Sequence, residues 1–362
     1  MDKSDNGDDF AGAGEAHGGG SGTGRPARVA APADLLLQAR AGGFALRVGG
    51  GGLVAAALRL TMPGWHHSLI TAADVAAEKK TDVAAGEKTD AALEVRRLAT
   101  GIAVRGPLVA ARPAVTRHFR HELEAANGLA GAVVEVVALR PDRAVLHAAA
   151  VRTAAGVVVL AGDSGAGKST LAQALAWRGA RHLADDRIVL DLSPATVASD
   201  GVQCISLGLA ARARLPLPEA LGPELRQWIS RRTVETSGPL AWLDPHDRAG
   251  AVAGEAAALA ALYVLDRRTG TAGVRLVATD GGDDAALVAL LLPQLHAPGV
   301  AAGGLVATVQ RLLAAARAGQ GAGRLVYGAT LEAADWLIAR HGLPPVGPAP
   351  GGPARGGPEA PA

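Results

Sequence analysis

Residues 162–169 read Gly-Asp-Ser-Gly-Ala-Gly-Lys-Ser and fit the pattern G-x-x-x-x-G-K-[ST]. The spacing has a chemical reason. Gly162, Gly165 and Gly167 let the backbone curl until successive N–H groups point inward at phosphate oxygens. A helix starting near Lys168 adds the positive end of its dipole. The Lys168 ammonium reaches β- and γ-phosphates in such loops, and the Ser169 hydroxyl can ligate Mg²⁺. The residues expected to contact the phosphates are Gly162, Asp163, Ser164, Gly165, Ala166, Gly167, Lys168, Ser169 and Thr170. Lysine occurs only at 3, 79, 80, 88 and 168. In a chain that otherwise uses arginine, the one lysine between 143 and 341 stands where a compact, mobile ammonium is needed. It reads as a surface-loop lysine, and the loop reads as a nucleotide site.

Other side chains are more ambiguous. Asp185 and Asp186 follow the loop's helix at the edge of an apolar stretch. Paired carboxylates there can hold Mg²⁺ or accept a proton from a hydroxyl nucleophile, or simply end a strand in solvent. His147 lies in the apolar run VLHAAAV and, by itself, reads sooner as a satisfied core histidine. His118 and His121 stand three apart on a segment that reads as a helix, Val115–Gly128, ended by Asn127-Gly128. A polar helix face is favoured over a metal site there, because no third ligand is in view. Cys204 is the single cysteine, which excludes an internal disulfide and a cysteine-built zinc site, and it reads as a small core residue.

Positioning these groups requires a sheet. Ala144–Val151 and Val157–Ala161 read as strands joined by a hairpin-like turn at 152–156, the second running straight into the glycine-rich loop and the helix Ser169–Arg178. His182–Leu192 reads as the next strand, Ala258–Leu265 and Val274–Val277 as further strands, and Asp284–Leu292, Leu305–Ala318 and Thr330–Ala339 as helices. Upstream, Phe44–Val48 alternates as a strand, and a polar near-repeat (DVAAEKKTD, DVAAGEKTD) reads as a solvated loop or helical insertion. The fold class is α/β, with α+β as the alternative. The organisation is a Gly-rich tail (1–33), an N-terminal α+β region of unassigned role (34–142), a domain carrying the loop (143–341) and a Pro/Gly tail (342–362). Both tails are too poor in large apolar side chains to offset ordering entropy and are expected to be disordered.

Composition excludes several classes. The chain has 362 residues, 49% of them apolar, enough for a sizeable core built from Ala, Val and Leu, since aromatics are 3%. With 36 basic and 34 acidic residues there is no electrostatic footprint for nucleic acid or an anionic membrane. No signal peptide is visible at the start, and no apolar run approaches the roughly 20 residues that span a bilayer. A cytoplasmic protein is expected.

The segment LHAAAVRTAAGVVVLAGDSGAGKSTLAQALAWRGARHLADDRIVLD resembles the catalytic domain of the HPr kinase/phosphorylase family. His147, the loop 162–170, Arg178-Gly179 and Ala184-Asp185-Asp186 fall in that family's order. The resemblance implies a P-loop kinase domain of the HPr-kinase/PEP-carboxykinase type that uses ATP and Mg²⁺. It also implies roles: Asp186 as general base, His147 near the transferred phosphate, Lys168 on the phosphates, and Ser169 and Asp185 at the metal. The family's further carboxylate ligand has no counterpart, since 202–218 holds no Asp or Glu, and its basic loop is not recognisable beyond Arg248. Region 34–142 does not resemble the family's regulatory domain. The chain reads as an outlying branch transferring phosphate to a hydroxyl, foremost a serine of a protein or peptide, and is compatible with a homo-oligomer. Two rivals are a small-molecule hydroxyl kinase and a nucleotide-binding regulator without transfer. Asp191 is the reserve candidate for the base.

Overall fold

The computed structural model describes residues 33–39, 45–70, 92–108, 114–193, 196, 201–244, 252–278, 284–300 and 302–343. The near-repeat, Arg248 and nearly all of both tails lie outside the described residues. The protein is a mixed α/β structure.

The N-terminal region forms a six-stranded sheet from β1 (Asp34–Ala39), β2 (Ala45–Gly49), β3 (Trp65–Ile70), β4 (Ala92–Leu98), β5 (Gly101–Leu108) and β6 (Val115–Phe119), ordered β3-β1-β2-β4-β5-β6. Only β2 and β4 pair in parallel. Leu35, Leu37, Val48, Val95 and Val104 alternate inward along their strands, as period-2 patterning requires. They are covered by α1 (Ala55–Thr61) and α2 (Glu122–Ala138) through Leu58, Leu129, Val133 and Val136.

The stretch read as a helix from Val115 is a strand up to Phe119, and the helix begins at Glu122 with two acidic residues in its first turn. Nor does Asn127-Gly128 end it. Gly128 faces the Phe119 ring, where a Cβ would come within 2.2 Å, so this glycine serves packing and the helix runs on to Ala138.

The larger sheet has ten strands: β7 (Arg143–Leu146), β8 (Ala149–Thr153), β9 (Gly156–Ala161), β10 (Arg181–Ala184), β11 (Ile188–Asp191), β12 (Gln203–Ile205), β16 (Ala256–Arg267), β17 (Val274–Ala278), β18 (Leu295–His296) and β19 (Gly321–Tyr327). The long β16 joins its two halves. β16 takes β9 and β19 in parallel along its later residues and β12 antiparallel at Ala256–Ala258. Both faces are buried, which accounts for the unbroken apolar text of β9. Val157, Val159 and Ala161 meet α5 (Asp284–Leu291) and α6 (Ala302–Ala318). Val158 and Leu160 meet α3 (Lys168–Trp177), α4 (Gly222–Arg232) and α7 (Thr330–His341). A small sheet of β13 (Arg212–Arg214), β15 (Leu240–Leu243) and β14 (Thr233–Ser237) completes the fold. No described helix is long and apolar enough to cross a membrane.

The two larger sheets are joined within one compact unit, residues 32–362. Helix α2 packs Val134, Val137 and Ala138 against Val145 and Val189 of the larger sheet. Trp65 Nε1 donates to Leu207 O at 2.7 Å, and backbone hydrogen bonds run from Gly64 N to Gly208 O and from Ala253 N to Gly64 O. At this seam the chains touch so closely that a Cβ on Gly64 would lie 2.5 Å from Gly208 Cα and 2.8 Å from Ala253 N. Those neighbours are backbone and cannot rotate away. Gly64→Ala is therefore expected to lower stability by about 1–3 kcal/mol, the usual cost of overpacking, as read from the urea midpoint.

Candidate functional site

Strand β9 ends at Ala161 and enters the loop at Gly162, which leads into α3. Because β9 and its neighbour β16 are parallel, the loop emerges at their carboxyl ends, the edge where α/β sheets present ligand sites. Gly167 caps α3 at φ 93°, and a Cβ there would come within 2.6 Å of the Tyr327 hydroxyl. That hydroxyl donates to Ala166 O at 2.9 Å and pins the loop to β19. Burial pushes the Tyr327 phenol up to about 12, so it stays a neutral donor.

Lys168 is not the surface lysine its loop suggested. It is 7% exposed, and its Nζ donates to Gly162 O at 2.7 Å and Asp163 O at 3.1 Å. The ammonium thus closes the loop on itself. Burial lowers its pKa, opposed by the charges of Asp186, Asp163 and Asp185.

The acidic pair and His147 come together through one antiparallel ladder that opens in its middle. The run 143–151 is two strands, and so is 182–192. Pairing holds at Leu146↔Ile188 and resumes at Ala150↔Ala184, beyond which a β-bulge between Ala184 and His182 shifts the register by one residue. Between these, 147–148 and 185–187 are unpaired, and their side chains are released from strand alternation. His147, read by itself as a core residue, has a side chain 45% exposed, and its Nε2 donates to Asp186 Oδ1 at 3.0 Å.

The two carboxylates have opposite electrostatics. Asp186 is held down at about 2, first by the His147 hydrogen bond and then by Arg212 and Arg187, whose guanidinium nitrogens lie 3.4 and 3.5 Å from Oδ2. Asp185 is buried, which raises its pKa. Its Oδ2 accepts the Arg212 N–H at 2.8 Å, and the neighbouring Ser169 hydroxyl also favours its ionised form. Asp185 Oδ1 is buried and unpartnered among the described residues. An orphan carboxylate oxygen beside a serine hydroxyl is a donor set that suits Mg²⁺, which takes one or two protein oxygens and completes its shell with water and phosphate. No group of three or more His, Cys, Asp or Glu able to hold a metal occurs among the described residues, so this pair would depend on a ligand's own oxygens.

His147, Gly165, Lys168, Ser169, Asp185 and Asp186 border a single cavity of about 480 Å³. Leu217, Leu221 and Ile229 add apolar surface to its lining, and Arg214 and Arg267 add positive charge. A lining that combines cationic groups and loop N–H groups with apolar side chains suits a ligand that has both an anionic and an apolar part.

Other candidates lie elsewhere. Asp191 accepts the Ser193 N–H at 2.9 Å at the far end of β11, so it is no substitute for Asp186. His118 is an exposed β6 residue and His121 the N-cap of α2. Cys204 is buried, and its thiol is pushed up to about 12. Sequence reasoning missed three residues at the site. Arg212 sits in no motif, and only the tertiary fold brings β13 to the acidic pair. Tyr327 had a weak signal, being one of two tyrosines in the chain. Gln173, one and a half turns beyond Lys168, lines the cavity with a buried Nε2 that lacks a partner among the described residues.

No family model matches the chain, and no curated protein sequence does either. Among solved structures it is similar to the HPr(Ser) kinase/phosphatase from Coxiella burnetii, with 18% identity and a TM-score of 0.22. The match spans 34% of this chain and 65% of that one.

The depressed Asp186 has a consequence for acid stability. Its native pKa lies below the ordinary 3.8, so the associated stabilisation is full above about pH 4 and is lost as pH falls toward 2. His147→Ala removes the largest cause. Melting temperatures measured from pH 6 to pH 2 are expected to fall less steeply for His147→Ala than for wild type between about pH 4 and 2, the two curves drawing together at the acid end.

Proposed function

We propose that this protein is an ATP- and Mg²⁺-dependent phosphotransferase of the HPr-kinase-like P-loop class, acting in the cytoplasm on a hydroxyl, foremost a serine of a protein or peptide. In this reading residues 143–341 form the catalytic domain. The observation that carries it is the meeting of Lys168, Ser169 and the His147–Asp186 pair on one cavity.

In this role the loop N–H groups and Lys168 bind the β- and γ-phosphates, the ammonium exchanging the Gly162 and Asp163 carbonyls for phosphate oxygens. Ser169 and Asp185 would hold Mg²⁺, which supplies positive charge against those oxygens when bound. Phosphoryl transfer asks mainly for positioning and charge neutralisation. Asp186 fits that demand. A carboxylate with a pKa of about 2 is always ionised near neutrality, so it orients the acceptor hydroxyl and takes its proton late, once the oxygen has begun to bond to phosphorus. His147 holds the carboxylate's rotamer. A nucleotide-binding regulator needs the loop but gives no role to the His147–Asp186 pair, which favours transfer.

The test is labelled γ-phosphate transfer from Mg-ATP to a peptide pool, with mass spectrometry to find phosphoserine. Asp186→Asn keeps shape but cannot take the proton, and is expected to lower transfer by about 10²–10⁴ while leaving ATP affinity nearly unchanged. Lys168→Ala is expected to abolish ATP binding and, because the buried Gly162 carbonyl loses its charged donor, to cost about 1–3 kcal/mol in stability. Tight ATP binding by wild type with no acceptor labelled would instead establish the regulator.

A further inference from the structure

A second cavity, of about 470 Å³, adjoins the first and shares Asp185, Asp186 and Arg212 with it. None of the glycine-rich loop lines it. Its outer wall comes from the N-terminal region, from α2 through Asn127, Gly128 and Gly131 and from Phe119 at the end of β6, with Trp242 of β15 also on it. We propose that this is the acceptor site, and that it takes a short peptide segment presenting a serine or threonine hydroxyl to Asp186. The inference rests on the phosphotransferase reading and assigns the acceptor side of that same site.

Three observations support it. First, phosphoryl transfer requires attacking and leaving oxygens roughly in line, so donor and acceptor must reach the transferred group from different directions. Two cavities that share Asp186 provide two such approaches. Second, Gly131 lacks a packing reason. Gly128, three residues earlier, is filled by the Phe119 ring, but a Cβ on Gly131 would have nothing within 4 Å. A glycine in a helix interior is unfavourable, and here its effect is to leave open space in the cavity wall. Third, the lining suits a peptide better than a polyol. Phe119, Val134, Leu207 and Trp242 are apolar, and the Asn127 amide offers one acceptor and paired donors that match a peptide group. Thr61, Glu124, Arg187 and Arg212 add polar groups beside these apolar ones, a mixed lining that suits the alternating apolar and polar surface of a peptide. The volume is in the range of small-ligand sites, so the bound segment is only a few residues long. On this assignment the N-terminal sheet is the acceptor-recognition half of the enzyme, carried to the site by α2.

The test uses the full chain, Mg-ATP labelled at the γ-phosphate and a library of octapeptides with a fixed central serine. Gly131→Leu fills the cavity from a position with room for the side chain and with better helix propensity, so it should melt at or above the wild-type temperature. The expected result is nucleotide affinity within twofold of wild type and peptide labelling reduced at least 50-fold. Asn127→Ala, a smaller change, should raise KM for peptide at least fivefold with little change in kcat. Wild-type labelling by Gly131→Leu would overturn the pocket assignment while leaving the kinase reading intact. Labelling of glycerol or hexoses by wild type, with no peptide labelled, would overturn the peptide acceptor. Failure of wild type to bind Mg-ATP would remove the phosphotransferase reading itself and this inference with it, and equilibrium binding alone reports that outcome.

Discussion

The site depends on an antiparallel pairing that is interrupted in its middle and resumes beyond the gap with a β-bulge. Strands β7 and β8 on one side, and β11 and β10 on the other, pair at both ends and part between Leu146↔Ile188 and Ala150↔Ala184. A continuous ladder would drive alternate side chains into the two buried faces of the sheet, where a histidine and two aspartates have no place. Opening it frees His147, Asp185, Asp186 and Arg187 to turn toward one another and toward the loop after β9. The apolar residues on either side (Ala144, Leu146, Ala150, Ile188, Leu190) remain in the core and hold the gap open.

Within that gap, burial and hydrogen bonding separate two adjacent carboxylates. Asp185 is enclosed, its pKa raised, and one of its oxygens has no partner among the described residues. Asp186 is partly solvated, hydrogen-bonded by an imidazole and flanked by two guanidinium groups, and it remains anionic. Arg212 links them, giving its N–H to one and its side-chain charge to the other. Lys168 and Tyr327 tie down the neighbouring loop through hydrogen bonds to its carbonyls, and Gly167 lets Tyr327 approach.

The N-terminal sheet is not an appendage. Its seam with the larger sheet is backbone against backbone at Gly64, Gly208 and Ala253, and α2 is shared between the two cores. This places a helix of one region on a cavity that reaches the carboxylates of the other. A role for 34–142 invisible in its own composition thereby becomes a question about one wall of one pocket.

Much of this was local and therefore legible in the sequence alone. The glycine-rich loop, the strand before it and the helix after it are dictated by residues within about fifteen positions of one another, through φ preferences and apolar periodicity. The same holds for β16, β17 and the three late helices, where long uniform patterns leave no competing choice. What the sequence misjudged was decided by partners far along the chain. His147 reads as core because VLHAAAV is apolar, and only the opened ladder turns it outward. Asn127-Gly128 reads as a helix stop because a glycine's usual role is conformational, until Phe119 is found packed against it. Lys168 reads as exposed because loops are, until the loop's own carbonyls fold over it. Arg212 and the wall formed by α2 carry no local signature, and Tyr327 has only its rarity to mark it. Short-range steric and hydrogen-bonding rules are written in neighbouring residues, whereas burial and charge pairing depend on which distant strands meet, and that is settled only when the whole sheet closes.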